Sequence, residues 1–394
     1  MAQTLGQVQS YVNSVPDKRM VSDRILMIEP YNIASYLALG TDVGKFNMTN
    51  REGKVYEWLE DTFNPVTTTL NSAAMTTNTS TALTLTPANL SLLQKGDVLL
   101  VGSEQLWVSA VTSGVATVTR AWGRTQAATH ATAATVTVVS RARLDGAAAD
   151  DSPTTPVASN YNYTQILQRT VNIARTKERL AEYGVTSWED YEIDKYMKEL
   201  MMFLNKIPFY GKRPTTGSGL LGGVGTAAAA RTAGGLRTFV TDNITYATAT
   251  AATGGTASAL TRKHIDDTFM NIWSDGGQPD LIITGAWAQR KINDFYEGFI
   301  QTSPEYQIGG NYITKLRHPI DGSMIDILVD RACPTNELWI LSRPNIAFYP
   351  FDPFFYERLA KTGDSILGEV VGEYGFMCKY DKSHGLVAEF STSA

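Results

Sequence analysis

At Pro65 the sequence changes character, and that break constrains the fold more than any other feature. As far as Arg141, Thr, Ala, Val and Gly dominate, and short runs suited to strands recur: Ala82 to Thr86, Asp97 to Val101, Gln105 to Val111, Val115 to Ala121 and Thr135 to Ser140. Gly102-Ser103 and Ser113-Gly114 supply residues fit for tight turns between runs. Strands and turns that are local in sequence can satisfy one another without the rest of the chain. This stretch therefore reads as a small all-β module inserted into a larger fold. A surface linker follows in Asp145 to Asn160, with Gly146, Pro153, Pro156 and the adjacent acids Asp150 and Asp151.

Outside the insert, helical and strand patterns mix. Val55 to Asp61 alternates as a half-exposed strand, and Tyr161 to Arg175 reads as the returning one. From Glu178 to Lys206 helix formers prevail, with Leu180, Ile193, Tyr196, Met197, Leu200, Met201 and Leu204 on an apolar face. Gly184-Val185 interrupts that pattern and Pro208 is expected to end it. Residues 211–260 are rich in Gly, Ala and Thr and suggest a long irregular loop with short strands. Thr261 should then cap a helix bearing Ile265, Phe269 and Ile272, closed by Gly276-Gly277. A strand at Asp280 to Thr284, a helix at Ala286 to Phe299, and strands at Tyr312 to Arg317, Met324 to Val329, Glu337 to Leu341 and Ile366 to Phe376 complete an α+β chain.

The 394 residues suffice for two or three cores, and 43% apolar with 19% charged content is that of a folded, water-facing protein. No apolar run approaches the roughly 18 to 20 residues of a membrane span, and Met1 to Asn13 lacks the basic start and apolar centre of a secretory signal. Neither membrane association nor export by that route is expected. Cys333 and Cys378 are the only cysteines, too few for a disulfide framework. With a net charge of −5 the chain has no global surplus of cations for gripping nucleic acid.

The sharpest catalytic motif is Gly217-Ser218-Gly219-Leu220-Leu221-Gly222, which matches G-x-G-x-x-G and has Asp242 about 20 residues on. Its context is wrong. Dinucleotide binding needs a buried strand feeding straight into the glycines, whereas Pro208, Lys212, Arg213 and Pro214 precede them. His130, His264, His318 and His384 lie in separate segments without metal-ligand spacing, and Cys378 has no identifiable base. The pairs Asp266-Asp267, Asp150-Asp151 and Glu189-Asp190 read as solvated or helix-capping groups. No catalytic residue, cofactor or metal is assigned.

Aromatic residues are more informative. Phe348, Tyr349, Phe351, Phe354, Phe355 and Tyr356 crowd nine positions broken by Pro350 and Pro353, which forbids a regular helix and makes an awkward strand. Such a segment must bury its rings, either in the chain's own core or in a subunit interface, where large aromatic residues are enriched. These six are the candidate interface residues.

Four blocks in fixed order resemble the major capsid proteins of tailed bacteriophages with the Hong Kong 97-type fold: EWLEDTFNP at 57–65, YTQILQRTVNIARTKERLAEYGV at 163–185, PDLIITGAWAQRKINDF at 279–295 and ERLAKTGDSILGEVVGEYGF at 357–376. The resemblance implies an N-terminal arm at 1–55 and an extended loop at 56–177 carrying the β-rich insertion at 65–141. It further implies a peripheral domain with a spine helix at 178–262, an axial domain at 263–345, and a return to the peripheral domain at 346–394. The implied function is a head protein that assembles as hexamers and pentamers into an icosahedral shell around double-stranded DNA. Implied partners are further copies of itself, portal and scaffolding proteins, a cement protein, and DNA held non-specifically. Assembly would take place in the host cytoplasm and the product would be the virion capsid. A cellular nanocompartment shell of the same fold, and a nucleotide-dependent enzyme using Gly217 to Gly222, are the competing readings.

Overall fold

The structure is a computed structural model that describes residues 31–40, 53–64, 66–71, 75, 77–84, 93–112, 115–143, 145–146, 155–180, 185–213, 230–247, 258–296, 313–361 and 363–392. It divides into two compact units, Leu59–Asn160 and the remainder. Most of the expected N-terminal arm, and Gly217 to Gly222, lie outside the described residues.

After helix α1 (Ala34–Leu39) and strand β1 (Val55–Glu60), the chain enters the smaller unit. This holds β2 (Thr67–Thr69), β3 (Ala82–Thr84), β4 (Asp97–Val101), β5 (Glu104–Thr112), β6 (Val115–Thr119) and β7 (Thr135–Arg141), in one sheet ordered β2-β7-β4-β5-β6-β3. Side chains alternate across a strand, so Leu99, Val101, Leu106, Val108, Val118 and Val136 all fall on one buried face. Strand β6 stops two residues short of the expected Ala121. Arg120 turns inward to Glu104, and Ala121 takes a left-handed φ of 55°.

The larger unit resumes at Tyr161, within β8 (Ala158–Tyr163), which pairs with β1, and continues through β9 (Gln165–Ala174), α2 (Arg175–Arg179) and α3 (Trp188–Tyr210). Ser187 caps α3 by accepting from the Asp190 N–H at 3.2 Å. Leu200 and Leu204 are buried, with Ile193, Tyr196, Met197 and Met201 packed beside them. Leu180 belongs to α2's end instead and is 55% exposed. Contrary to expectation, Pro208 does not end the helix. It sits in the last turn, where its missing N–H removes one bond while Gly211 N–H still closes on the Ile207 carbonyl at 2.8 Å.

Next come α4 (Leu236–Phe239), β10 (Ile244–Tyr246), α5 (Arg262–Ser274), β11 (Leu281–Thr284), α6 (Ala286–Tyr296), β12 (Lys315–Arg317), β13 (Met324–Val329) and β14 (Glu337–Leu341). The chain closes with β15 (Ile346–Arg358), β16 (Ser365–Cys378) and β17 (Gly385–Ala388). Thr261 caps α5 as expected, and His264, to which sequence reading gives no role, completes a reciprocal cap. Two sheets result, one ordered β10-β17-β14-β11-β13-β12 and the other β15-β16-β9. The six-stranded sheet is covered on both faces. Leu281, Ile283, Trp339, Leu341 and Leu386 point to the core beneath α3, while Ile282, Leu338, Ile340 and Val387 point to the core that holds Ile265, Phe269, Ile272 and Ile292 of α5 and α6. That double cover explains why β11 and β14 are uninterrupted apolar runs. β10 and β17 come from the 178–262 and 346–394 stretches and β11 to β14 from 263–345, so one hydrogen-bonded sheet joins them.

Candidate assembly surface

The aromatic run is strand β15, and it divides along its length. Its register with β16 shifts between Pro350 and Asp352 and again between Asp352 and Phe355, around the two prolines. Among the described residues β15 is the edge strand of its sheet, a place that tolerates the missing donors. Phe348 and Tyr349 are buried in the chain's own core, Phe348 between Tyr36 and Phe376 at ring distances of 5.0 and 5.5 Å. Tyr349 packs on Tyr56 at 5.0 Å. Within and beyond the shifts, Phe351, Phe354 and Tyr356 are half-buried on the same core, and Phe355 is 40% exposed. The six residues thus grade from interior to surface.

Glycines in the partner strand seat these rings. A Cβ at Gly368 would overlap Tyr356, one at Gly372 would overlap Phe354, and one at Gly375 would overlap Tyr56. The glycines of the block LGEVVGEYG are therefore ring sockets. Reading the aromatic run and the glycine run as one hairpin would have found this, because a glycine inside a strand marks a close approach.

Charged groups fix the outer end of β15 to the start of α3. Glu189 in the first turn of α3 accepts from Arg358 Nε at 2.6 Å, from Arg358 Nη2, and from the Tyr356 hydroxyl at 2.7 Å. The Arg358 guanidinium holds the Glu189 carboxyl below its usual range, against the opposing effect of burial. Sequence reading gives Glu189 only a capping role. Its partners lie nearly 170 positions away, beyond the reach of local pattern.

The groups weighed for catalysis have structural surroundings. Burial pushes the Cys333 thiol up, and Cys378 is buried in β16. Among the described residues no group of three or more His, Cys, Asp or Glu could hold a metal ion, and no helix is long and apolar enough to cross a membrane. Asp266 pairs with Arg262 and Asp267 with Lys263 along α5.

His384 is fully buried in the larger unit. Its Nδ1 accepts from Ser342 N–H at 3.2 Å, and its Nε2 faces the Lys379 carbonyl at 3.2 Å and Ser383 Oγ at 3.3 Å. That set suits a neutral ring protonated on Nε2. Burial lowers its pKa from 6.5 to about 4, with the Lys379 carbonyl and distant Asp280 pulling the other way. Between these values the unfolded chain binds a proton that the folded chain refuses, so stability falls as pH drops from about 6.5 to 4. The loss is expected to reach roughly 3 kcal/mol for the larger unit. His384→Gln should flatten that part of a urea-unfolding profile against pH.

No curated protein sequence matches this chain. Among solved structures, similarity extends to the capsid of a native GTA particle at 9% identity, covering 95% of this chain and 96% of that one with a TM-score of 0.49. The capsid of Myoviridae phage XM1 is 8% identical, with 94% and 97% covered and a TM-score of 0.47. The holo-SrpI encapsulin complex of Synechococcus elongatus is 7% identical, with 60% and 78% covered and a TM-score of 0.41. A family model described as the SU10 major capsid protein matches residues 3–391, almost the whole sequence. The chain belongs to that family, and is accordingly a structural protein of a virion capsid and not an enzyme.

Proposed function

We propose that the chain forms hexamers and pentamers that close into an icosahedral shell around double-stranded DNA. What carries the reading is family membership over residues 3–391. The graded aromatic edge of β15 supports it, since Phe355 and Leu359 leave apolar surface at 40% and 38% exposure beside the Glu189–Arg358 ion pair. In this reading residues 1–55 are the arm, 56–177 the extended loop, 178–262 with 346–394 the peripheral part and 263–345 the axial part. Portal and scaffolding proteins, and a cement protein, join the assembly in the host cytoplasm. DNA is held loosely, in keeping with a net charge of −5.

Cryo-microscopy of the purified native particle tests this. Five- and six-fold capsomers with DNA inside are the expected result. A stable monomer or dimer without capsomer symmetry would overturn it, and enzymatic cargo in place of DNA would favour the nanocompartment.

A further inference from the structure

The outer face of the smaller unit's sheet carries two tryptophans that its core does not use. In β5, Glu104, Leu106 and Val108 are buried, so Gln105 and Trp107 point to the opposite face. Trp122 stacks on Trp107, with ring centroids 5.5 Å apart and planes 20° from parallel, and is itself 43% exposed. Neither ring belongs to the cluster around Leu99, Leu106 and Val118 that holds the unit together. Exposed apolar surface that no core recruits is a mark of a binding site.

The turn that carries Trp122 has a fixed and unusual shape. Ala121, Gly123 and Arg124 have φ of 55°, 65° and 66°, a left-handed region that alanine and arginine rarely adopt. The Gln105 N–H donates to Thr125 Oγ1 at 3.1 Å, and that hydroxyl donates to the Trp122 carbonyl at 2.8 Å. Gly123 passes so close to the Gln105 side-chain carbonyl that a Cβ there would overlap it. Just before the turn, the Ala121 N–H donates to the buried Glu104 carboxylate at 3.1 Å. The indole is thus positioned in advance, and binding need not order it.

What surrounds the rings selects the ligand. Directly opposed residues of paired strands share a face. Trp107 therefore stands between Val98 of β4 and Thr119 of β6, while Gln105 stands beside Leu100, which faces Thr137 of β7. These two rows hold hydroxyl, amide and apolar groups and no charge. A hydroxyl or an amide both donates and accepts, as sugar hydroxyls require, and the negative face of an indole attracts the C–H face of a pyranose. Single-stranded nucleic acid also stacks on indole, but it needs a cationic track for its phosphates, and the two rows offer none.

We propose that this platform binds a neutral polysaccharide. One pyranose stacks on the outward face of Trp122, Gln105 and Thr119 supply hydrogen bonds to the sugar hydroxyls, and the adjoining sugars lie along the uncharged rows. The site belongs to the smaller unit of a single copy, so it goes beyond the capsid reading and does not depend on it.

Biolayer interferometry of the full-length chain on biotinylated laminarin, amylose and mannan tests this, with heparin and poly(dT) as anionic controls. Saturable binding to at least one of the neutral chains is expected, changing less than about twofold between about 0.05 and about 0.5 M salt. Trp122→Ala should weaken it about tenfold or more, the usual scale of one lost aromatic stacking contact. Trp122→Phe should retain most of it, and Arg124→Ala should leave it within about twofold. A second readout needs no variant. Mass-spectrometric mapping of N-bromosuccinimide oxidation should show Trp122 protected by bound polysaccharide and Trp273, 50% exposed in the larger unit, unaffected. Binding to none of the neutral chains, binding that survives Trp122→Ala, or unprotected Trp122 at saturation would overturn the proposal. So would tighter poly(dT) binding that falls steeply with salt and is lost in Arg124→Ala, which would assign the platform to nucleic acid. A folded Trp122→Ala chain that no longer forms shells, with no polysaccharide bound by the unsubstituted protein, would make the platform a subunit contact and overturn it too.

Discussion

Glu104→Ala is expected to destabilise the smaller unit by about 3–5 kcal/mol, the usual loss when one partner of a buried ion pair is removed. The Glu104 side chain is wholly buried and Arg120 is 8% exposed beside it. Glu104 accepts from Arg120 Nε at 2.7 Å and Nη2 at 2.6 Å, and from the N–H groups of Ala121 and Ala128 at 3.1 and 3.0 Å. His130 Nε2 completes the set at 2.8 Å. Arg120 in turn donates to the carbonyls of Thr77, Ser80 and Ala128. One carboxylate therefore fixes several turns that share no secondary structure. Without it, a guanidinium is left buried and uncompensated.

The same site sets an acid limit. Burial alone would raise the Glu104 carboxyl, but Arg120, the Ala128 N–H, His130 and the Ala121 N–H together lower it from 4.5 to about 2. Because the folded pKa is the lower one, its contribution is complete above about 4.5 and fades as pH falls towards 2. This window lies below that of His384 in the larger unit. Urea unfolding of the full chain, followed by Trp107 and Trp122 in the smaller unit and Trp339 in the larger, should show the larger unit weakening first on acidification. A Glu104→Ala variant losing under about 1 kcal/mol would show that the cluster does not hold the module together.

Glu104 also marks where sequence reading reaches its limit. The strand pattern of residues 82–141 is legible because alternation is local, and all five expected runs become strands within about two residues of their bounds, with Leu85 and Thr86 of the first outside the described residues. Glu104 itself escapes that reading, although β5 buries Glu104, Leu106 and Val108 in one phase, and a carboxylate in the buried phase asks for a buried cation. Its partners at 120, 121, 128 and 130 come from later turns and leave no periodic trace. The Thr261 cap of α5 is legible for the opposite reason, since it and the turn it caps are adjacent in sequence. Pro208 misleads because proline is weighed as a helix breaker, whereas in a last turn it removes a single bond. The candidate surface is half legible: composition locates the rings, but only pairing with β16 and its glycines separates those that build the core from those left outside.

That separation makes Phe348 and Phe355 a paired experiment with opposite expected results. Phe348→Ala empties a fully buried site between Tyr36 and Phe376 and should lower stability by about 3–5 kcal/mol, with assembly failing because subunits unfold. Phe355→Asp changes a residue that is 40% exposed, outside both register shifts, and should leave subunit stability within about 0.5 kcal/mol. If Phe355 lies in a contact repeated around a closed ring, a loss of about 1 kcal/mol at each of six interfaces totals about 6 kcal/mol per hexamer. Shell yield should then collapse while thermal unfolding of the isolated subunit is unchanged. Phe354→Ala should fall between the two, because that ring is half-buried over Gly372 and 4.9 Å from Tyr374. Light scattering for assembly, beside differential scanning calorimetry for the subunit, reads the two effects independently. Normal shells from Phe355→Asp would remove the outer end of β15 from the assembly surface and leave the aromatic run a purely internal element.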